Sequence, residues 1–294
     1  MSSPTPKRTV LITGCSDGGL GAALAIAFHK AGLHVYATAR NVSKMSVLAS
    51  HGIDTLPLDI LSASSIASCV EKLSSSSSFS GLDILVNNAG GGYSMPISDI
   101  DIEDAKTLFD LNVWAQIAVT QAMLPLLRRK EKSKNGGGDM IVNHTSSASV
   151  VAIPFQGAYN ASKAAMAMLS HTMRLELSPF GIAVVDVKSG IIESNFFENK
   201  GVGVLPADSI YMPAREFVEK ATWGAPVGRG ISRAKVWAEQ VVADLLRSRG
   251  PPITVWRGTK ASTAKWGSML PAWVLDTIAK KMFGMDVVER MIRG

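Results

Sequence analysis

Tyr159 and Lys163 stand four positions apart in the stretch YNASK. On a helix that spacing places both side chains on one face, one turn apart. A free phenol titrates near ~10, too high for efficient proton exchange around neutrality. Bringing it to ~7 needs about 4 kcal/mol of differential stabilisation, at ~1.36 kcal/mol per unit. The ammonium of Lys163, in a partly desolvated site, is a physical source of that stabilisation. The pair therefore predicts a tyrosine made more acidic by Lys163 and able to exchange a proton with the oxygen of a reacting carbonyl. Ser146 precedes Tyr159 by thirteen positions and Asn112 lies further upstream in LNVWA, which offers a hydroxyl and an amide to the same site. Taken singly, Asn112 reads as a polar residue bending a helix and Ser146 as a strand-end cap.

A second stretch, TGCSDGGLG (13–21), is rich in glycine where a strand gives way to a helix. Free backbone N–H groups and the helix dipole favour an anion there. Glycines let the backbone turn sharply and approach a phosphate closely. By its own residues the stretch suits either a phosphate cradle or a loop that merely closes a turn. Gly14, Gly18 and Gly21 form the working set, with Gly19 absorbing one extra residue. Asp17 is expected to point away from any phosphate.

The elements that must position these groups alternate. Apolar runs at 9–13, 34–39, 54–60, 82–90, 140–145, 182–187 and 253–256 read as strands. Helix-length segments read at 21–30, 43–50, 64–73, 103–127, 158–177, 214–222 and 232–247. Strand and helix alternating at this pitch predict one doubly wound parallel sheet, a Rossmann-type α/β fold with helices on both faces. Right-handed crossovers put the ligand crevice at the carboxyl ends of the strands. One domain spans 1–294, with a lid over about 191–230 and an extension over about 257–294.

Composition narrows the class. The chain has 294 residues, 47% hydrophobic, enough for one large core, and two cysteines, Cys15 and Cys69, which speaks against a disulfide framework. The N-terminus lacks the apolar stretch of a secretory signal, and no apolar run approaches ~18 residues. The formal charge of +6 is scattered. Its one cluster, RRKEKSK at 128–134, reads as a solvated loop rather than a nucleic-acid patch. No metal site is expected, and the localisation expected is cytoplasmic.

The motifs TGCSDGGLG, NNAG (87–90), LNVWA (111–115) and SSASVVAIPFQGAYNASK (146–163) occur in this order. In them the chain resembles the short-chain dehydrogenase/reductase family, from about Lys7 to Ile192. That family carries T-G-x₃-G-x-G, N-N-A-G, an asparagine in the following helix and a serine about thirteen residues before Y-x-x-x-K. The wider glycine spacing is a departure. The resemblance implies that Ser146 hydrogen-bonds the substrate oxygen and that Tyr159 donates the proton. Lys163 would hold the nicotinamide ribose, and Asn112 would anchor a water joining Lys163 to solvent.

The resemblance also implies a nicotinamide cofactor, contacted by Gly14, Ser16, Gly18, Gly21, Asp59, Asn88, Gly90, Tyr159, Lys163, Ile192 and Ser194. NAD-preferring members carry an acidic residue at the end of the second strand. Here Ala39 is followed by Arg40, whose planar fork suits a 2′-phosphate, so NADPH is the cofactor expected. Thr38, Asn41 and Ser43 add hydrogen-bonding groups. Relatives usually show Pro-Gly after the sixth strand, where this chain has Ser189 and Gly190.

Residues 191–223 carry Phe196, Phe197, Leu205, Ile210, Tyr211 and Trp223, which suit a hydrophobic ketone or the packing of a lid. The tail, with Trp266, Trp273, Leu275, Ile278, Met282 and Phe283 beside Lys280 and Lys281, is similar to that of fungal-type 1-acyldihydroxyacetone-phosphate reductases. It suits a membrane or lipid-droplet surface, including the periphery of the ER, or the substrate pocket, or a second subunit. Helices 103–127 and 158–177 suit a homo-oligomer, dimer or tetramer. The activity expected is reduction of a hydrophobic or acylated ketone. Alternatives are a tailoring ketoreductase of a polyketide or terpenoid pathway, a cofactor-binding regulator, and a nucleotide-sugar epimerase or dehydratase.

Overall fold

The computed structural model describes residues 7–77, 79–127, 138–196, 203–223 and 230–294. The basic stretch at 128–134 lies outside the described residues. The described strands are β1 (Thr9–Thr13), β2 (His34–Ala39), β3 (Asp54–Pro57), β4 (Ile84–Asn87), β5 (Met140–Ser146), β6 (Ala183–Ser189), β7 (Ile192–Glu193), β8 (Ser232–Arg233) and β9 (Thr254–Arg257). The described helices are α1 (Leu20–Lys30), α2 (Ser46–Ser50), α3 (Ala63–Ser75), α4 (Ile102–Phe109), α5 (Ala115–Leu127), α6 (Gly157–Leu177), α7 (Arg215–Trp223), α8 (Ala234–Leu245), α9 (Ala261–Gly267), α10 (Ala272–Met282) and α11 (Met285–Arg293).

Seven strands form one parallel sheet in the order β3-β2-β1-β4-β5-β6-β9, while β7 and β8 pair separately. The order reverses between β1 and β4, so this is the doubly wound sheet the alternation predicts, with its crevice at that switch. β1 is buried throughout, as a strand covered on both faces must be. Its side chains alternate between two cores. Val10 and Ile12 join Phe28 of α1 and Trp237 of α8 on one face. Leu11 joins Cys69 of α3 and Val119 and Met123 of α5 on the other. A third, smaller cluster joins Phe155, Leu205, Ala214, Val218 and Val288.

The long helix expected over 103–127 is interrupted. Asp110–Trp114 form a π turn between α4 and α5, in which the Ala115 N–H reaches back to the Asp110 carbonyl. The fourth strand stops at Asn87, and NNAG turns out of the sheet. The tail forms three helices, and α11 docks on α7. At Gly284 (φ +68°) a Cβ would lie 2.5 Å from the Phe217 ring, so only glycine allows this approach. No described helix is long and apolar enough to cross a membrane.

Candidate active site

Parallel pairing sets the carboxyl ends of the strands side by side. Thr13 is level with Thr38, Asn87 with Asn143, and Ser146 with Ser189. Along this edge the glycine turn has clear steric requirements. A Cβ on Gly14 (φ +73°) would lie 2.8 Å from Ala89 Cα, and one on Gly21 would lie 2.3 Å from the Gly14 carbonyl oxygen. Gly18 has φ +78° and packs against Asn195, whose amide reaches the Asp17 carbonyl at 3.3 Å. Gly19 needs no left-handed backbone and is the N-cap of α1, with no side chain capping that helix and no acidic residue in its first turn. The first amides of α1 thus remain open to an anion. Asp17 turns to α2, accepting from the Ser46 hydroxyl at 3.1 Å and the Val47 N–H at 3.3 Å.

Tyr159 and Lys163 share one face of α6, with Nζ 5.9 Å from the centre of the phenol ring. Ser146 ends β5 and hydrogen-bonds Tyr159, and its Oγ also accepts the Ala148 N–H at 3.1 Å. The expected acidification of Tyr159 by Lys163 is not what this environment produces. Burial pushes the phenol up to about 12, and the Ser146 hydrogen bond only partly offsets it. The reason is desolvation, which disfavours the phenolate more than the neighbouring groups stabilise it. Burial likewise pulls Lys163 down to about 8 against the opposing charge of Asp186. The Lys163 ammonium donates to the His144 carbonyl at 3.2 Å.

Asn112 sits fully buried in the π turn. Its Oδ1 accepts the Gly91 N–H at 2.8 Å, and its Nδ2 donates to the Gly91 carbonyl at 3.0 Å and to Ser162 Oγ at 3.1 Å. These bonds use both hydrogens of Nδ2 and one lone pair of Oδ1 within the protein. A Cβ on Gly90 would lie 3.0 Å from that Oδ1 and 3.5 Å from Lys163 Nζ, so the exposed Gly90 passes directly over this pair.

Arg40 is exposed just past β2. Thr38 is not beside it as a free group, because its hydroxyl is buried and donates to the Ile12 carbonyl at 3.0 Å. Asn41 caps the following turn by accepting from the Ser43 N–H and hydroxyl. Asp59 accepts from the Leu61 N–H at 3.1 Å. Asn88 donates to the carbonyls of Thr13 at 2.8 Å and Gly14 at 3.1 Å, which binds the NNAG turn to the glycine turn. Ser16 accepts the Gly19 N–H at 3.0 Å through its carbonyl. Ile192 is buried in β7, and Ser194 is half-buried two residues on.

The lid residues divide. Phe196 meets the Tyr159 ring at a centroid distance of 5.7 Å. Tyr211 packs edge-on against Phe155 at 5.6 Å, and Leu205 is buried in the same cluster, so these two hold the lid down. Ile210 is exposed. Phe197 and the side chain of Trp223 lie outside the described residues. A groove of about 690 Å³ lies between α3 and α5, lined by Ile66, Trp114, Ala118 and Ala122. It touches none of Ser146, Tyr159 and Lys163, so no chemistry is assigned to it. Sequence reasoning missed Asn195 and His144. Only a long-range pairing could have pointed to either one.

Comparison with known proteins agrees with this arrangement. Residues 8–202 match the family model described as short chain dehydrogenase. A "Short-chain dehydrogenase/reductase" of Pestalotiopsis microspora is 50% identical over 290 residues, covering 98% of both chains. The "NADPH-dependent 1-acyldihydroxyacetone phosphate reductase" of Schizosaccharomyces pombe is 36% identical over 291 residues, covering 92% of both. The crystal structure of a short-chain dehydrogenase from Streptomyces avermitilis superposes with a TM-score of 0.72 at 26% identity, over 96% of this chain and 98% of that one. The fold, the motifs in their places and these relatives together establish that the chain belongs to the short-chain dehydrogenase/reductase family of oxidoreductases.

Proposed function

We propose that the chain is an NADPH-dependent reductase that converts a ketone on a hydrophobic or acylated small molecule to the alcohol. The observation that carries the reading is Tyr159, bonded to Ser146 and backed one turn away by Lys163, at the sheet edge beside the uncapped N-terminus of α1. The residues fit a dinucleotide. A Cβ at Gly14 or Gly21 would strike the protein's own atoms, so glycine there lets the turn fold tightly in front of α1, which offers its first amides. The exposed Arg40 suits a 2′-phosphate, and the Schizosaccharomyces pombe relative is named as NADPH-dependent. When bound, the cofactor supplies hydride to the carbonyl carbon.

Tyr159 then gives its proton to the carbonyl oxygen, while Ser146 holds that oxygen by a hydrogen bond. A phenol pushed up to about 12 stays protonated at working pH, so Tyr159 holds the proton that reduction consumes, and its release depends on stabilisation of the phenolate. The Lys163 cation stabilises the phenolate left behind. Phe196, tilted against the Tyr159 ring, gives the pocket an apolar wall. NADPH consumption with a panel of hydrophobic ketones tests the reading, and a folded chain that binds NADPH but turns over none of them would fit a regulator instead.

We further infer one domain over 1–294 with a lid near 191–230 and an extension from about 257. Exposed Trp114, Met168 and Leu175 support self-association, to be read by analytical ultracentrifugation. Exposed Trp266 and Trp273 beside Lys265, Lys280 and Lys281 support peripheral contact with an anionic lipid surface, to be read by vesicle co-sedimentation.

A further inference from the structure

We propose that His144 is a positioning residue whose ring locks the turn after β4 to the end of β6, so that the two sides of the cofactor crevice move as one. The inference rests on the nicotinamide-dependent reading above.

His144 lies on β5, level with Val187 of β6, and its ring is buried against Trp237 of α8 at a centroid distance of 5.2 Å. Its Nδ1 is 3.0 Å from Asn88 Oδ1, on the β4 side, and its Nε2 is 2.7 Å from Ser189 Oγ, on the β6 side. The proton's place on the ring follows from the partners. Asn88 spends both hydrogens of Nδ2 on the carbonyls of Thr13 and Gly14, so only its Oδ1 is left to face the imidazole. Nδ1 therefore carries the hydrogen and donates it. Nε2 is left with its lone pair and accepts the Ser189 hydroxyl proton.

The chain of contacts runs further at both ends. Through Asn88 the ring holds the main chain of Thr13 and Gly14, where the glycine turn begins. On the other side the Ser189 carbonyl accepts from Ser146 Oγ at 3.5 Å, and Ser146 is the partner of Tyr159. The main-chain carbonyl of His144 itself receives the Lys163 ammonium at 3.2 Å. One residue thus touches the supports of the diphosphate turn, the serine and the lysine, while reaching no substrate atom. Burial, with the Lys163 charge second, pulls the imidazole down to about 3, so the ring stays neutral and its single hydrogen stays in place. Asp186, whose charge acts on Lys163, is itself ion-paired with the buried Lys188 at 2.6 Å.

The test combines a spectroscopic and a binding readout. Imidazole ¹⁵N spectra of the chain without cofactor, with the His144 signal assigned by its loss in His144→Gln, should show Nδ1 protonated, Nε2 bare and no titration between about pH 5 and 8. The opposite tautomer, or titration in that range, overturns the proposal. His144→Val and Ser189→Ala should each weaken NADPH binding and lower kcat about tenfold, the scale for breaking a buried hydrogen bond. Ser189→Ala should add almost nothing in a His144→Val background, and His144→Gln, which can still donate to Asn88 and accept from Ser189, should recover most of the loss. If His144→Val fails to fold, Ser189→Ala alone decides. Unchanged NADPH affinity and kcat in Ser189→Ala, or additive losses in the double variant, overturn the coupling. Activity retained in Tyr159→Phe would instead sink the proton-donor reading and leave the spectra of His144 unaffected, so the two failures are told apart.

Discussion

The Nζ of Lys163 lies 5.9 Å from the centre of the Tyr159 ring, one turn along the same face of α6, and is itself tied to the His144 carbonyl. The cation is close enough to stabilise a phenolate as it forms, yet it does not overcome the burial that keeps the resting phenol protonated. On the reading proposed above, the pair serves proton donation.

This arrangement sets a pH dependence. Lys163 loses its charge at about 8, well before Tyr159 titrates at about 12. In ketone reduction kcat/KM should therefore fall above about pH 8, as the cation that stabilises the departing phenolate disappears. In Lys163→Arg, whose guanidinium keeps its charge, any remaining activity should hold to higher pH. The same alkaline limb in Lys163→Arg would assign it elsewhere.

The glycine turn offers a contrast between neighbours. A Cβ at Gly21 meets the Gly14 carbonyl oxygen at 2.3 Å, whereas one at Gly19 meets nothing closer than the Ser16 carbonyl oxygen, at 3.0 Å. Gly21→Ala should weaken NADPH binding at least about tenfold, since the backbone must shift where the diphosphate would lie, and Gly19→Ala should cost far less. Fluorescence titration on variants shown to be folded by circular dichroism measures both. Equal losses would remove the steric distinction.

Arg40 stands exposed at the end of β2 with no carboxylate beside it in sequence. Arg40→Ser should raise KM for NADPH about ten- to hundredfold, the scale of a charge-assisted hydrogen bond, and leave KM for NADH nearly unchanged. A parallel rise for both cofactors would show that Arg40 does not read the 2′-phosphate.

His144 also shapes stability. An unfolded histidine takes up its proton near 6.5, while the native ring resists until about 3. Between those values the unfolded state holds more protons, so stability is lost as pH falls, by at most about 1.4 kcal/mol per pH unit from this group. His144→Gln has no such group, and its urea midpoint should decline less steeply than that of the unaltered chain between about pH 6.5 and 4.5. Identical slopes would mean that the ring is not held neutral.

Much of the scaffold could be read from local pattern. The apolar runs of β1, β5 and β6 and the glycines after β1 mark the crevice edge, and the spacing of Ser146, Tyr159 and Lys163 places them together. The parts that could not be read depend on distant neighbours. The π turn at Asn112 is stabilised by Gly91 and Ser162, twenty-one and fifty positions away. Thr38 carries a suitable hydroxyl, but its bond to Ile12 withdraws it from the cofactor side. The direction of the Tyr159 shift is not legible in sequence, because proximity to a lysine is visible in a helix period and burial is not. His144 sits in an apolar strand, and its partners come from β4 and β6, forty-five or more positions away.

The most direct measurement is NADPH oxidation by Tyr159→Phe beside an NADPH binding titration of the same protein. With the phenolic oxygen gone and the ring retained, turnover of any ketone accepted by the unaltered chain should drop by about two to four orders of magnitude, the range for loss of a general acid, while NADPH affinity stays within about threefold. Turnover at the original rate would contradict the account, because the proton would then reach the substrate from another donor.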